Sequence, residues 1–280
     1  MVCVITGASS GIGAALAREL HARGARLTLA ARREQKLAAL ADELGGGHLA
    51  VVTDVADPDQ CRRLVERAVA HFGRIDTMVA NAGYGLARPM TATSRQEIER
   101  IFATNVFGTH DCAVAAVAAM RRQALRDGWR GQVMITSSGA ARRGLPFFGA
   151  YAATKAAQLS LAEALRVELA DERIAVTSVH PIGTGTEFFD VAERGGTVRV
   201  QGVGSRSTRQ SAEHVARRMA AAIARPAREV WPARGYRFLL AVNALVPSVG
   251  DFALNRERRQ IERAMRPGGT PGNSRDARES

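Results

Sequence analysis

Short apolar runs rich in valine, isoleucine and leucine recur near residues 1–5, 26–31, 48–53, 75–80, 131–137, 174–180 and 228–231, and longer segments with helical spacing of apolar positions separate them. A run without polar alternation suits a strand buried on both faces, as in a parallel sheet covered by helices. Strands that alternate with helices imply βαβ units with right-handed crossovers. The pattern therefore predicts an α/β fold built on one doubly wound parallel sheet. A last apolar run, 238–246, follows Arg234 and Arg237, precedes Arg256, Arg258 and Arg259, and is interrupted by Asn243 and ended by Pro247. It is too short to span a bilayer. The favoured reading is a helix packed on the core or on a second subunit; a membrane-surface contact through 238–259 and a patch for acidic partners are the other two. From about Arg266 onward Pro, Gly, Arg and Ser predominate, which predicts a disordered tail. The expected organisation is an α/β domain over 1–232, a helical extension over 233–265 and a tail over 266–280.

The first strand runs into Thr6-Gly7-Ala8-Ser9-Ser10-Gly11-Ile12-Gly13, and a helical pattern follows. Strand, glycine loop and helix are what a dinucleotide site requires. Gly7 serves the tight turn, Gly11 the approach of backbone to a pyrophosphate, and Gly13 close helix–strand packing, with the helix N-terminus facing the anion. Later in the chain Tyr151 is followed four residues on by Lys155, one of only two lysines among 39 basic Lys and Arg residues. On a helix that spacing puts ammonium and phenol on one face. A compact ammonium can hold a sugar hydroxyl and, by its charge, is expected to lower the phenol's pKa, a task for which a planar guanidinium has the wrong shape and reach.

These two motifs, with Asp54-Val55 after the third strand, Asn81-Ala82-Gly83 after the fourth, Asn105 in the next helix and Ser138 thirteen residues before Tyr151, resemble the short-chain dehydrogenase/reductase family over residues 1–232. The resemblance implies a Rossmann-type sheet of seven strands in the order 3-2-1-4-5-6-7 and a catalytic set of Asn105, Ser138, Tyr151 and Lys155. Ser138 would hold the substrate oxygen and Tyr151 would exchange a proton with it. Lys155 would hold the nicotinamide ribose, and the Asn105 carbonyl would hold a water linking Lys155 to solvent. Ser137 is the rival hydroxyl, but strand alternation turns it to the other face. The cofactor set would comprise Gly7, Ser9, Ser10, Gly11, Ile12 and Gly13 at the loop, with Asp54 and Val55 at the adenine and Asn81, Ala82 and Gly83 on the adenosine side. Tyr151, Lys155, Pro181, Ile182, Gly183, Thr184 and Thr186 would lie toward the nicotinamide. Asp54 has a second reading as the cap of a helix led by Pro58. Ile182 departs from the family, which carries glycine there.

Cofactor choice is read at the end of the second strand. Ala31 stands where an acidic residue would accept a ribose hydroxyl, and Arg32 and Arg33 follow, so NADP(H) is expected in preference to NAD(H). Tyr84, Met90, Leu145, Phe147, Phe148, Phe188 and Phe189 favour an apolar ketone or alcohol, and the glycine-rich segment 184–207 reads as a lid. The function expected is hydride transfer between NADP(H) and a ketone or secondary alcohol. A β-ketoacyl-thioester reductase and a non-catalytic binding protein on the same fold are the alternatives.

Charge and cysteine change the picture only at its edges. The net charge is +12, and residues 201–280 hold fifteen arginines against seven acids. Cys3, Cys61 and Cys112 show neither metal nor disulfide spacing. No metal and no nucleic acid are expected, a homodimer or homotetramer is, and with no charged-then-apolar leader before the first strand the expected location is cytoplasmic.

Overall fold

The computed structural model describes residues 1–184, 192 and 210–265. Seven strands form one sheet in the order β3-β2-β1-β4-β5-β6-β7, all paired in parallel. They are β1 Val2–Thr6, β2 Arg26–Ala31, β3 Leu49–Val52, β4 Thr77–Ala80, β5 Gly131–Thr136, β6 Ile174–Val179 and the short β7 Glu229–Val230. Helices α1 Gly11–Ala22, α2 Glu34–Glu43, α3 Pro58–Phe72, α4 Arg95–Phe102, α5 Gly108–Met120, α6 Gly149–Glu168 and α7 Ala212–Ala224 flank it. Two further helices, α8 Arg234–Leu245 and α9 Pro247–Met265, close the chain.

The period of two along each strand divides the core. Cys3, Ile5, Leu27 and Leu29 pack under α1, α2 and α7, whereas Val4, Ala30, Met78, Val133 and Ile135 pack under α3, α5 and α6. Both faces are apolar because both are covered, and each large side chain so buried contributes about 1.5–3 kcal/mol. Local chemistry fixes the helix ends. Asp57 accepts from the backbone N–H of Asp59 and Gln60 ahead of Pro58, and Gly73 ends α3 at φ 80°. Ser94 and Glu97 form a reciprocal capping box at α4. The α4–α5 stretch, Arg95–Met120, is long and apolar enough to cross a membrane, but more than half of its apolar window is buried in the fold, as a core helix requires.

Helices α8 and α9 are bent by 114° about their junction. Gly250 permits the bend to be tight, since a Cβ there would strike the Asn243 side chain. Arg143, in the loop after β5, forms an ion pair with Asp251, and Ile261 is buried with Ala87 beside Phe147 and Phe148. The pair thereby leans over the carboxyl ends of β4, β5 and β6. The outer face is bare, with Phe238 at 75% and Phe252 at 78% exposure.

Candidate active site

The loops leaving β1, β4, β5 and β6 open into one cleft of about 840 Å³. It lies where the strand order reverses between β1 and β4, the crevice in which open parallel sheets take ligands. At one end stands the glycine loop. Gly7 and Gly11 have φ values of +66° and +56°, a region that costs glycine little. A Cβ on Gly13 would lie 2.8 Å from Asn81 Nδ2, so only glycine lets α1 approach the sheet this closely. Ser10 is the N-cap of α1 yet its side chain caps nothing, which leaves the first-turn N–H groups for a ligand. Arg33 reaches over this loop, its Nη2 donating to Ser10 Oγ at 2.5 Å and Ser9 Oγ at 3.2 Å.

Residues 81–83 stand beside the loop. The Thr6 hydroxyl accepts from the backbone N–H of Asn81 and Ala82, both at 3.0 Å, and Asn81 Nδ2 donates to the Thr6 carbonyl at 3.0 Å. These bonds tie the end of β4 to β1. Ala31, Arg32, Asp54 and Val55 line the adjoining wall. Asp54 is not the cap of α3, a role Asp57 fills; its carboxylate accepts from Ala56 N–H at 3.1 Å within its own turn.

At the other end Ser138, Tyr151 and Lys155 meet. Tyr151 is hydrogen-bonded to the Ser138 side chain, and Ser138 Oγ also accepts from Ala140 N–H at 3.1 Å. Ser137, the rival hydroxyl, donates to the Lys155 carbonyl at 2.8 Å and braces α6 instead. Lys155 Nζ lies 5.6 Å from the centre of the Tyr151 ring and donates to the Thr136 carbonyl at 2.9 Å and Gln158 Oε1 at 2.8 Å.

Two expectations change here. Burial, opposed by the Ser138 hydrogen bond, pushes the Tyr151 phenol up to about 12, and burial pushes Lys155 down to about 7. The depression expected from the lysine is not among the causes of the phenol's shift; burial is the largest cause for both groups, because the same enclosure disfavours both charges. Asn105 sits in a π-helical turn, Ala103–Phe107, between α4 and α5. Its side chain holds Tyr84 through both backbone groups, at 3.0 Å each, and donates to Thr154 Oγ1. Its carbonyl, expected to hold a water, accepts instead from Gln158 Nε2 at 2.7 Å and Thr109 Oγ1 at 2.8 Å.

After β6, Pro181, Ile182, Gly183 and Thr184 line the cleft. The positive φ falls on Gly183, at +50°, so Ile182 meets no backbone penalty. The room for its side chain comes from Gly139, where a Cβ would lie 2.7 Å from Ile182 Cγ1. Thr186, Phe188, Phe189 and most of the 184–207 segment lie outside the described residues. Of the remaining aromatic and apolar residues expected around a substrate, Tyr84, Leu145 and Phe148 line the cleft. Met90 packs against Gly149 instead, and Phe147 against the Ala87–Ile261 cluster.

Several contributors were not apparent in the sequence. Tyr236, Leu240, Val242 and Leu254 of α8 and α9 supply a cleft wall; the signal was the 238–246 run, whose inner face could not be told from its outer one. Gln158 had no motif to mark it. His180 is fully buried, stacks on Trp231 with ring centres 4.3 Å apart, and has Nδ1 3.3 Å from the Ser138 carbonyl. A carbonyl only accepts, so Nδ1 carries the proton, and burial holds the ring neutral by pushing it down to about 4. Among the described residues no group of three or more His, Cys, Asp or Glu could hold a metal.

The chain is similar to known proteins. Residues 1–195 match the family model described as short chain dehydrogenase. An 11-beta-hydroxysteroid dehydrogenase 1A of Arabidopsis thaliana is 39% identical over 187 residues, 64% of this chain and 51% of the relative, so this chain spans about half the length of that protein. An uncharacterised oxidoreductase of Listeria monocytogenes is 34% identical over 68% of this chain and 76% of its own. Among solved structures, a short chain dehydrogenase/reductase from Burkholderia phymatum in complex with NAD superposes with a TM-score of 0.77 at 25% identity, covering 89% of this chain and 94% of that one. An alcohol dehydrogenase from Thermococcus sibiricus complexed with 5-hydroxy-NADP gives 0.69 at 25% identity over 82% and 94%. With the fold, the glycine loop and the Ser–Tyr–Lys constellation all of one kind, the chain belongs to the short-chain dehydrogenase family.

Proposed function

We propose that this protein is an NADP(H)-dependent oxidoreductase that interconverts an apolar ketone and its secondary alcohol. The observation that carries the reading is the convergence of Ser138, Tyr151 and Lys155 in the same cleft as the glycine loop. The residues fit a dinucleotide. The first turn of α1 is open, Gly7 and Gly13 leave no room for a Cβ, and the hydroxyl of Thr184, buried in the cleft wall, has no hydrogen-bond partner among the described residues. Gly7, Ser9, Ser10, Gly11, Ile12 and Gly13 would hold the pyrophosphate and Arg33 a ribose 2′-phosphate. Asp54 and Val55 would meet the adenine, and Pro181, Ile182, Gly183 and Thr184 the carboxamide. Bound there, the nicotinamide supplies or takes up the hydride.

The chain's own part is position and proton. Ser138 Oγ orients the substrate oxygen beside the Tyr151 phenol. With its pKa pushed up to about 12, that phenol is protonated at neutral pH and suited to donating to a developing alkoxide. Two of the three Lys155 donors are engaged by protein, which leaves one for a ribose hydroxyl. Asn105 fixes Tyr84, and through it the cleft wall. The apolar wall of Tyr84, Leu145, Phe148, Leu240 and Leu254 favours an apolar substrate. A homodimer or homotetramer and a cytoplasmic setting complete the reading; the three free cysteines suit a reducing compartment.

The test is oxidation of NADPH or reduction of NADP⁺ against a panel of ketones, secondary alcohols and β-ketoacyl thioesters, with Tyr151→Phe as the control. Turnover on apolar ketones, abolished in the Phe variant with NADPH binding retained, is the expected result. A preference for acyl thioesters would make the protein a β-ketoacyl-thioester reductase. NADPH binding without turnover on any class, or a Phe variant of near-normal activity, would refute the proton-transfer assignment.

A further inference from the structure

Gln158 lies one turn beyond Lys155 on α6 and is fully buried. Its Oε1 accepts from Lys155 Nζ at 2.8 Å, and its Nε2 donates to the Asn105 carbonyl and to Thr109 Oγ1, both at 2.7 Å. An amide nitrogen has two protons and its oxygen has none, so both donors are used and the group is locked. A flip would turn N–H toward the ammonium and oxygen toward a carbonyl oxygen. Thr109 gives its own proton to the same Asn105 carbonyl at 2.8 Å, which closes a ring of bonds behind the lysine. The π-helical turn places that carbonyl within reach of both side chains.

A water can accept and donate through one oxygen, so a file of waters can hand a proton along. An amide accepts at oxygen and donates at nitrogen, and passing a proton through it requires an imidic acid. We infer that Gln158 is a positioning residue that closes the interior side of the Tyr151–Lys155 pair, fixing Lys155 Nζ to the Asn105 carbonyl while giving its proton no inward route. Proton exchange at Lys155 then runs through the cleft alone. This inference rests on the reading of Tyr151 and Lys155 as the catalytic pair. The groups facing Nζ are the Tyr151 phenol and Gln158 on α6, the Thr136 carbonyl on β5, and Asn105 and Gly83 from the far wall; of these only the phenol titrates.

The chain's two lysines make the test direct. In full-length protein labelled with ¹³C,¹⁵N-lysine, the exposed Lys36 serves as internal reference and Lys155 gives the other signal. Titrated without cofactor, Lys155 is expected to lose its proton near pH 7. Gln158→Met, which keeps the length and removes the acceptor, should lower its proton affinity roughly tenfold. Gln158→Glu should raise the midpoint above that of the unaltered protein. Gln158→Ala, which opens space for water, should speed exchange of the Nζ protons with solvent by about tenfold or more. A folded Met variant with an unchanged midpoint, or an Ala variant with unchanged exchange, overturns the inference; if the Met variant does not unfold cooperatively, the Glu variant decides. A merely structural glutamine would alter yield and melting temperature but not these midpoints. Titration of the unaltered protein with NADPH stands apart: failure to bind would sink the proposed function, while the lysine midpoints would still report on the bridge.

Discussion

Arg33→Ala would remove the guanidinium that arches over the glycine loop, 2.5 Å from Ser10 Oγ and within 3.3 Å of Ser9 Oγ through its Nε. From there it would reach the ribose end of a dinucleotide held with its pyrophosphate at the N-terminus of α1, as proposed above. Hydrogen bonds to a charged group contribute about 1.5–3 kcal/mol. Arg33 is exposed, and solvent pulls its contribution toward the lower value, so one such bond predicts about a tenfold loss of NADPH affinity. NADH carries no 2′-phosphate and should lose less than about threefold, the remainder reflecting loop rigidity. Arg32→Ala should matter less, since it is Arg33 that hydrogen-bonds Ser9 and Ser10 of the loop. The assay is nicotinamide fluorescence titrated with both cofactors, at low and raised salt, because an exposed charge pair weakens with ionic strength. Equal affinity of the unaltered protein for NADPH and NADH, or an unchanged ratio in Arg33→Ala, would refute the argument from Ala31, Arg32 and Arg33.

Lys155→Met should change how stability depends on pH. The lysine's pKa is pushed from 10.5 to about 7 in the fold, so between those values the unfolded chain binds more protons and stability rises with pH. Denaturant midpoints should show the unaltered protein gaining relative to Met across that window, and parallel curves would contradict the buried-lysine assignment. Gly139→Ala should cost about 1–3 kcal/mol by overpacking against Ile182, whose Cγ1 would lie 2.7 Å from the new Cβ. Gly139→Ala combined with Ile182→Gly should recover most of that loss in thermal melts; a single variant as stable as the parent would show that the contact relaxes freely. Removing residues 233–280 strips α8 and α9 from the cleft and uncovers Leu145, Phe147 and Phe148, so aggregation or weakened binding of apolar ligands is expected. The intact chain should show little co-sedimentation with anionic vesicles; strong binding at low salt, lost on truncation to a well-folded core, would make the exposed Phe238 and Phe252 a membrane contact.

The sheet was legible because it is buried on both faces. An apolar run such as Val2–Thr6 has one reading once helices flank it, and observed strand ends lie within about two residues of those expected, the usual uncertainty at element boundaries. Gly7, Gly11 and Gly13 announced themselves for the same kind of reason, since a positive φ or a contact that excludes Cβ admits only glycine. Alternation at the end of β5 sets Ser138, which faces Tyr151, apart from Ser137, which faces the backbone of α6.

What the chain could not announce was set by enclosure and by contacts between distant segments. Residue spacing puts an ammonium beside a phenol, but only the closed interior shows that desolvation moves both groups toward neutrality. A glutamine three residues after Lys155 is unremarkable in sequence; it becomes the partner of Asn105 because a π-helical turn 53 residues away presents its carbonyl there. The Ile182 departure read as a threat to backbone geometry, whereas Gly183 bears the positive φ and Gly139 makes the space. The run at 238–246 carried its hydrophobicity in plain view, but which side chains line the cleft and which face water depends on the bend at Pro247 and the Arg143–Asp251 tether. Local pattern determines elements because each residue's backbone preference and burial repeat with a fixed period; the site depends on which surfaces those elements bring together and how much water they exclude, and no period in the sequence encodes that.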